Sequence, residues 1–425
     1  MINTRRWLTV AFLAASFWLA GCSPANEPAD QAPASATETV ERTAAIAIPD
    51  KYGAQVAEDV LRAGGNAVDA AVAVGFSMAV TFIDAGNIGG GGFMMIYLDG
   101  EPAFLDYRET APLAAHRDMY LDEHGEVIEN ASLIGARAAG VPGTVAGLWE
   151  AHQRYGSLPW KDLVMPAVAL AEDGFLPAKA LVVGIHSTKE WFGDATEFYD
   201  HFGSISTEQP FRQPELGRTL RRIAELGPED FYRGETARLI VAQMERSQGQ
   251  ITAEDLDRYR AIWREPLRTD WRNFEILAAP PPSSGGFALV QLLKMKDYLA
   301  GYFEGVPQNS PQYIHLVAEM EKRVFADRAE YLGDPDYVDN PIERLIADDY
   351  IAQRAREVNP DEISQLDAVQ PGLESPDTTH YSIVDQWSNA VSNTYTLNWE
   401  YGCGVVVEGA GFLLNNEMDD FSVKP

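Results

Sequence analysis

The segment from Asp377 to Leu397 reads as a tight hairpin, and a hairpin dictates which side chains face each other. Tyr381-Ser382-Ile383-Val384 has a strand pattern, and Asp385-Gln386-Trp387-Ser388-Asn389 is turn-like. Ala390 to Leu397 is a second strand run, rich in Thr, Val and Tyr. Folding about Trp387 sets Thr378 opposite Thr396, on the same face and within side-chain reach. A Thr at the head of a strand, with a second hydroxyl across the ladder, is the layout of an N-terminal nucleophile. Cleavage between Asp377 and Thr378 would free an α-amine with an ordinary pKa of about 7.7–8.0. That amine can act as general base for the hydroxyl of its own residue. Thr is also simply a good strand residue, so the hairpin alone leaves an ordinary structural reading open.

Three further stretches narrow the choice. Gly411-Phe412-Leu413-Leu414-Asn415-Asn416-Glu417-Met418-Asp419-Asp420-Phe421-Ser422 follows the hairpin. Upstream stand Asp106-Tyr107-Arg108-Glu109-Thr110-Ala111-Pro112 and Pro280-Pro281-Pro282-Ser283-Ser284-Gly285-Gly286. With these motifs in this order, the sequence from about Ala44 to Pro425 resembles the gamma-glutamyltransferase family (gamma-glutamyltranspeptidase, or glutathione hydrolase). The resemblance implies an α/β fold, a four-layer αββα sandwich of the N-terminal-nucleophile hydrolase type with a helical insert. It implies a large-subunit region at 44–377 and the start of the small, catalytic subunit at 378–425. The two would stay together as a heterodimer after self-cleavage between Asp377 and Thr378.

The resemblance also implies roles. Thr378 would attack the γ-glutamyl amide of glutathione or a similar donor, and water, an amino acid or a peptide would take the acyl group. Thr396 would orient Thr378 and contact the donor. Asn398 and Glu417 would bind its α-amino or carboxylate region, and Asp420 would pair with the α-ammonium. No cofactor and no metal are implied. On the residues alone, Arg108 lies just past a strand end, placed either to clamp a carboxylate with its fork or to bridge to Glu109 or Asp106. The family counterpart holds the donor α-carboxylate. Glu417 and Asp420 read by themselves as an acidic surface turn, whereas a zwitterionic donor needs an anion opposite its ammonium.

The N-terminus carries its own signal. Arg5 and Arg6 precede an apolar run from Trp7 to Trp18, too short to span a bilayer. Leu19-Ala20-Gly21-Cys22 looks like a bacterial lipobox, so Met1 to Gly21 would be removed and Cys22 acylated. An ordinary secretory signal with an incidental Cys is the alternative, but Cys22 falls where small-residue cleavage belongs. Ser23 after the Cys resembles the pattern of outer-membrane sorting, which implies a periplasmic lipoprotein. Residues 22–43, rich in Pro, Ala, Glu and Ser, read as a disordered tether.

The formal net charge of −30 argues against nucleic acid and anionic membrane surfaces as partners, leaving membrane contact to the lipid anchor. Cys403 is the only other cysteine. With Cys22 acylated no disulfide is available, and Cys403 reads as a small strand residue. His315 and Glu319 share a helix face, but no ligand spacing supports a metal.

Between the motifs the chain reads as mixed α and β. Asp50 to Leu61 and Ala67 to Val80 are helices joined by Gly64-Gly65-Asn66. The second is apolar almost all round and so should be buried. Gly89 to Gly92 lacks the Lys of a phosphate loop and leads into a strand, so it reads as close-packed backbone. Glu101 to Asp106 is the next strand. Val141 to Leu148 opens a helix, and Trp160 to Asp173 and Leu216 to Glu225 are amphipathic. Thr252 and Asp255 form a capping box. Phe274 to Ala279 is a strand, and Pro280 to Gly286 a rigid strand-to-helix corner. Gln308 to Tyr331 is a long helix, and a further helix lies between Arg344 and Ala368.

Family members continue past the Asn-Asn-Glu-Met-Asp-Asp motif with a Ser-Ser pair, an oxyanion-hole Gly-Gly pair and further strands. The sequence is therefore expected to be a C-terminally truncated form that lacks part of the sheet and stays uncut. The other readings are a related amidase, such as a cephalosporin acylase or a poly-γ-glutamate transpeptidase, and an inactive, unprocessed lipoprotein fragment.

Overall fold

A six-stranded antiparallel sheet organises the molecule, with spatial order β1-β7-β8-β2-β3-β4. Its strands are β1 (Ala45–Ala47), β2 (Gly91–Leu98), β3 (Glu101–Asp106), β4 (Ile262–Arg264), β7 (Thr379–Val384) and β8 (Ala390–Thr396). The intervening β5 (Leu267–Trp271) and β6 (Phe274–Ala278) pair only with each other. This computed structural model describes residues 43–193, 195–365, 378–421 and 423–424. The expected signal segment, Cys22, the expected tether to residue 42 and Asp377 lie outside the described residues.

The hairpin has the register expected of it. Thr379 pairs with Tyr395, Ser382 with Ser392 and Val384 with Ala390. The turn closes at Ser388, with φ of 71°. It is fixed by Asp385, whose carboxylate accepts from the backbone of Trp387 and Asn389. The same carboxylate accepts from the backbone N–H of Ala67, so the turn is tied to the start of a helix far back in the chain.

That helix is α2 (Ala67–Thr81), which packs beside α1 (Lys51–Arg62). All of its residues are buried, as an all-round apolar sequence requires. Each Val so placed contributes roughly 1.5–3 kcal/mol by leaving water. Asn66 belongs to α2 rather than to the end of α1: it is the N-cap, in a capping box with Asp69, and Ala63 closes α1. The sheet lies against α2 through the inward tyrosines of the hairpin. Tyr381 donates to the carbonyl of Ala71 (2.9 Å) and Tyr395 to that of Gly75 (3.1 Å). Buried phenols need such partners. Helices α3 (Thr144–Tyr155) and α4 (Trp160–Asp173) complete this layer.

A second apolar cluster forms among the helices Gly285–Tyr298, Pro311–Tyr331 and Asp348–Arg356, centred on Phe287, Leu316, Val324 and Ile351. It includes no residue of the six-stranded sheet. The Pro280 to Gly286 corner links β6 to this cluster, with Ser284 at the helix N-cap.

One element differs from expectation. Cys403 does not lie in a strand. From Asn398 to Asn416 the chain runs as turns, because Gly402, Gly404, Gly409 and Gly411 all adopt positive φ, which an extended strand excludes. Cys403 is buried, its thiol faces the Leu414 carbonyl at 3.4 Å, and burial pushes its pKa up to about 12.

Candidate active site

Antiparallel alternation brings five strand ends to one edge of the sheet: the starts of β7, β2 and β4 and the ends of β8 and β3. Thr378 stands immediately before β7 and Thr396 closes β8, one step beyond the Thr379–Tyr395 pair. Both line a single cleft with Arg108, Glu109, Asn398, Glu417 and Asp420. Ser283 and Ser284 from the proline corner and Arg328 from the long helix line the same cleft. The cleft encloses about 590 Å³, in the ordinary range of about 300–1,000 Å³ for small-molecule sites.

Gly90 makes the edge possible. A Cβ there would run into the Thr396 carbonyl, and its own carbonyl accepts from Gly143 and Thr144 at 2.8 and 3.0 Å. The glycine run is thus close-packed backbone. Thr396 Oγ1 accepts from the backbone N–H of Asn398 at 2.9 Å, and Asn398 takes a positive φ of 75°.

The two asparagines before Glu417 act as staples. Asn415 donates to the carbonyls of Gly89 and Gly140 (2.8 Å each) and accepts from the backbone N–H of Gly140 and Glu417 (2.9 and 3.0 Å). Asn416 accepts from Trp399 N–H, donates to Leu133 O, and receives the Asn398 side chain on its carbonyl. These bonds hold the 3₁₀ turn Glu417–Asp420 against the end of β3. The acidic residues are therefore part of a fixed wall, with Glu417 buried.

Arg108 is the centre of charge. Its Nη2 lies 2.6 Å from Asp420 Oδ2 and also donates to Glu417 Oε1, while Nε is 3.9 Å from Glu109. The guanidinium carbon sits 5.5 Å from the centroid of the Phe93 ring, a cation–π position. Asp106 accepts from the Arg108 backbone N–H (3.1 Å), but its carboxylate pairs with Arg264 (2.7 Å). Burial nevertheless holds the Asp106 pKa above its ordinary value, against the pull of Arg264. Of the two local partners that Arg108 had in the sequence, Asp106 is taken by Arg264 and Glu109 makes only the long 3.9 Å ion pair.

Among the described residues no group of three or more His, Cys, Asp or Glu side chains is arranged to hold a metal ion. His315 instead faces the Asn359 carbonyl, and Glu319 is buried against Lys322, Arg323 and Ser364.

Sequence comparison gives this arrangement its context. A family model for Gamma-glutamyltranspeptidase matches residues 53–425. The chain belongs to the gamma-glutamyltranspeptidase family. It is 59% identical over 381 residues to a "Glutathione hydrolase proenzyme" of Pseudomonas aeruginosa, covering 90% of this chain and 68% of that one. A solved gamma-glutamyltranspeptidase from Pseudomonas nitroreducens, complexed with L-DON, is 57% identical with a TM-score of 0.75, covering 77% of this chain and 98% of that chain. A cephalosporin acylase from Bacillus halodurans superposes with a TM-score of 0.79 at 26% identity, over 93% of this chain and 74% of that one. The fold is the mixed α/β fold of the N-terminal-nucleophile hydrolases.

Within this family fold, Arg108, Thr378, Thr396, Asn398, Glu417 and Asp420 all line the same cleft; Cys22 and Asp377 are outside the described residues. Sequence reasoning missed Phe93 beneath Arg108, the stapling by Asn415, and the proline corner as a cleft wall. It treated Glu109 only as a salt-bridge partner. A pair of asparagines before two acids was the available clue to the staple.

Proposed function

We propose that this chain is the precursor of a γ-glutamyl transferase and hydrolase acting on glutathione and similar donors. The observation that carries the reading is Arg108 poised between Glu417 and Asp420, in one cleft with Thr378 and Thr396. A γ-glutamyl donor presents an α-carboxylate and an α-ammonium side by side. The carboxylate takes the Arg108 fork, and the ammonium takes the acids released from it.

Maturation and turnover use one hydroxyl. Thr378 Oγ1 attacks the Asp377 carbonyl, the amide nitrogen leaves as the Thr378 amine, and water hydrolyses the resulting ester to an Asp377 carboxylate. In turnover the freed amine accepts the hydroxyl proton as Oγ1 attacks the γ-carbonyl. The same proton leaves with the departing amine, and water or an acceptor amine then attacks the acyl-enzyme. Thr396, across the ladder, orients Thr378. The sheet order supports a lasting heterodimer: β7 and β8, after the cut, lie between β1 and β2, from before it.

The acylase relative makes a related amidase the second reading. Arg108 and Asp420, a matched pair for an α-amino acid head, favour the γ-glutamyl donor over it. An exported lipoprotein held at the outer membrane through Cys22 fits Arg5, Arg6 and the Leu19–Cys22 motif. Hydrolysis of γ-glutamyl p-nitroanilide beside an acyl anilide lacking the α-amino acid head tests the assignment. In a version extended to the length of the relatives, preference for the second substrate, or a single uncut and inactive chain on a denaturing gel, would reject it.

A further inference from the structure

We propose that Glu109 is a positioning residue that makes donor capture pH-dependent: ionised, it competes with the donor α-carboxylate for Arg108, and neutral, it leaves the fork to the donor. This rests on the donor reading above.

The geometry sets Glu109 apart from the other acids of the cleft. Its side chain is 1% exposed, and neither carboxyl oxygen has a hydrogen-bond partner among the described residues. It is packed against the backbone of Gly91, where a Cβ would meet its Oε2 at 2.5 Å, and against Gly140. Gly91 is the ladder partner of Thr396, so the carboxyl lies directly behind the catalytic edge. The nearest cation is Arg108, with Nε at 3.9 Å. Asp106 and Asp420 face it as like charges, and the phenols of Tyr107, Tyr232 and Tyr259 are held neutral by their own burial.

Burial favours the neutral form of an acid. Burial pushes the Glu109 pKa up to about 8, against the pull of Arg108. Below that pH the carboxyl is neutral, and Arg108 faces only Glu417 and Asp420, acids that the donor ammonium can satisfy. Above it a further negative charge sits where the donor carboxylate must arrive. Donor binding therefore raises the Glu109 pKa, and by linkage draws in a proton near pH 8.

L-glutamate carries the required head group without needing turnover, so calorimetry on the full chain is the test. Its dissociation constant should weaken roughly tenfold between pH 7 and 9, and Glu109→Gln, which stays neutral, should remove most of that dependence. With the unaltered chain at pH 8, binding enthalpies in buffers of different ionisation heat should report uptake of about half a proton. Parallel profiles for the two proteins would overturn the proposal. So would absence of proton uptake by the unaltered chain, a result that stands even where the variant fails to fold. No glutamate binding at any pH, by either protein, overturns the donor-site reading and this proposal with it.

Discussion

Arg108→Lys separates charge from shape at the centre of the cleft. Arginine offers a planar fork whose Nη2 already spans Asp420 and Glu417, with Nε turned toward Glu109. A donor α-carboxylate entering there accepts two charge-assisted bonds in parallel. Lysine keeps the charge but delivers one donor direction at a time. Losing one such bond costs about 1.5–3 kcal/mol, which corresponds to about 10- to 150-fold in donor affinity. The α-carboxylate is remote from the reacting γ-carbonyl, so the bond is made equally in ground and transition states and the loss falls on KM. In a version extended to the length of the relatives, steady-state hydrolysis of γ-glutamyl p-nitroanilide measures this, and a denaturing gel follows self-cleavage, which Arg108 does not touch in this scheme. An unchanged KM, a loss confined to kcat, or failure to cleave would each refute the reasoning.

In a version extended to the length of the relatives, Thr378→Ala should leave a single uncut and inactive chain, whereas Thr378→Ser keeps a hydroxyl and should still cut, more slowly; Edman sequencing that finds a new N-terminus elsewhere would remove Thr378 from the mechanism. Glu319→Gln tests the helical cluster: burial opposes ionisation of Glu319, but bonds from Lys322, Ser364 and Arg323 hold its pKa down to about 2. Because the folded pKa lies below the unfolded one, this stabilisation is complete above about pH 4.5 and is lost as pH falls toward 2. The variant should be less stable at pH 7, by on the order of 2–3 kcal/mol, and lose the acid dependence in that window; identical melting curves from pH 2 to 7 would contradict it. Mass spectrometry of the exported protein should find a diacylglyceryl Cys22, and an unmodified N-terminus at another residue would defeat the lipoprotein reading.

What was legible in the sequence was local or periodic. The hairpin register followed from a turn and two short runs, because ladder pairing is fixed once the turn is placed. Buried α2 followed from an apolar pattern with no polar face, and the Thr252–Asp255 capping box from residues three apart. Strand β3 and the position of Arg108 beyond its end were equally local. The fold type and the roles proposed for Thr378, Thr396, Asn398, Glu417 and Asp420 came from ordered motifs, since no local rule connects them.

Only the tertiary structure decided how those groups meet. Arg108 and Glu417 are 309 residues apart, and they are neighbours because Asn415 is stapled to Gly89 and Gly140 beside the end of β3. In the sequence, Glu109 and Asp106 were the obvious partners for Arg108, yet Glu109 is buried without a hydrogen bond and reaches Arg108 Nε only at 3.9 Å, and Asp106 is taken by Arg264. Cys403 became a turn residue because the glycines around it take positive φ. Local pattern fixes which face of an element is apolar; how two such faces pack, and which charges are thereby stranded or satisfied, is set by the whole set of contacts at once.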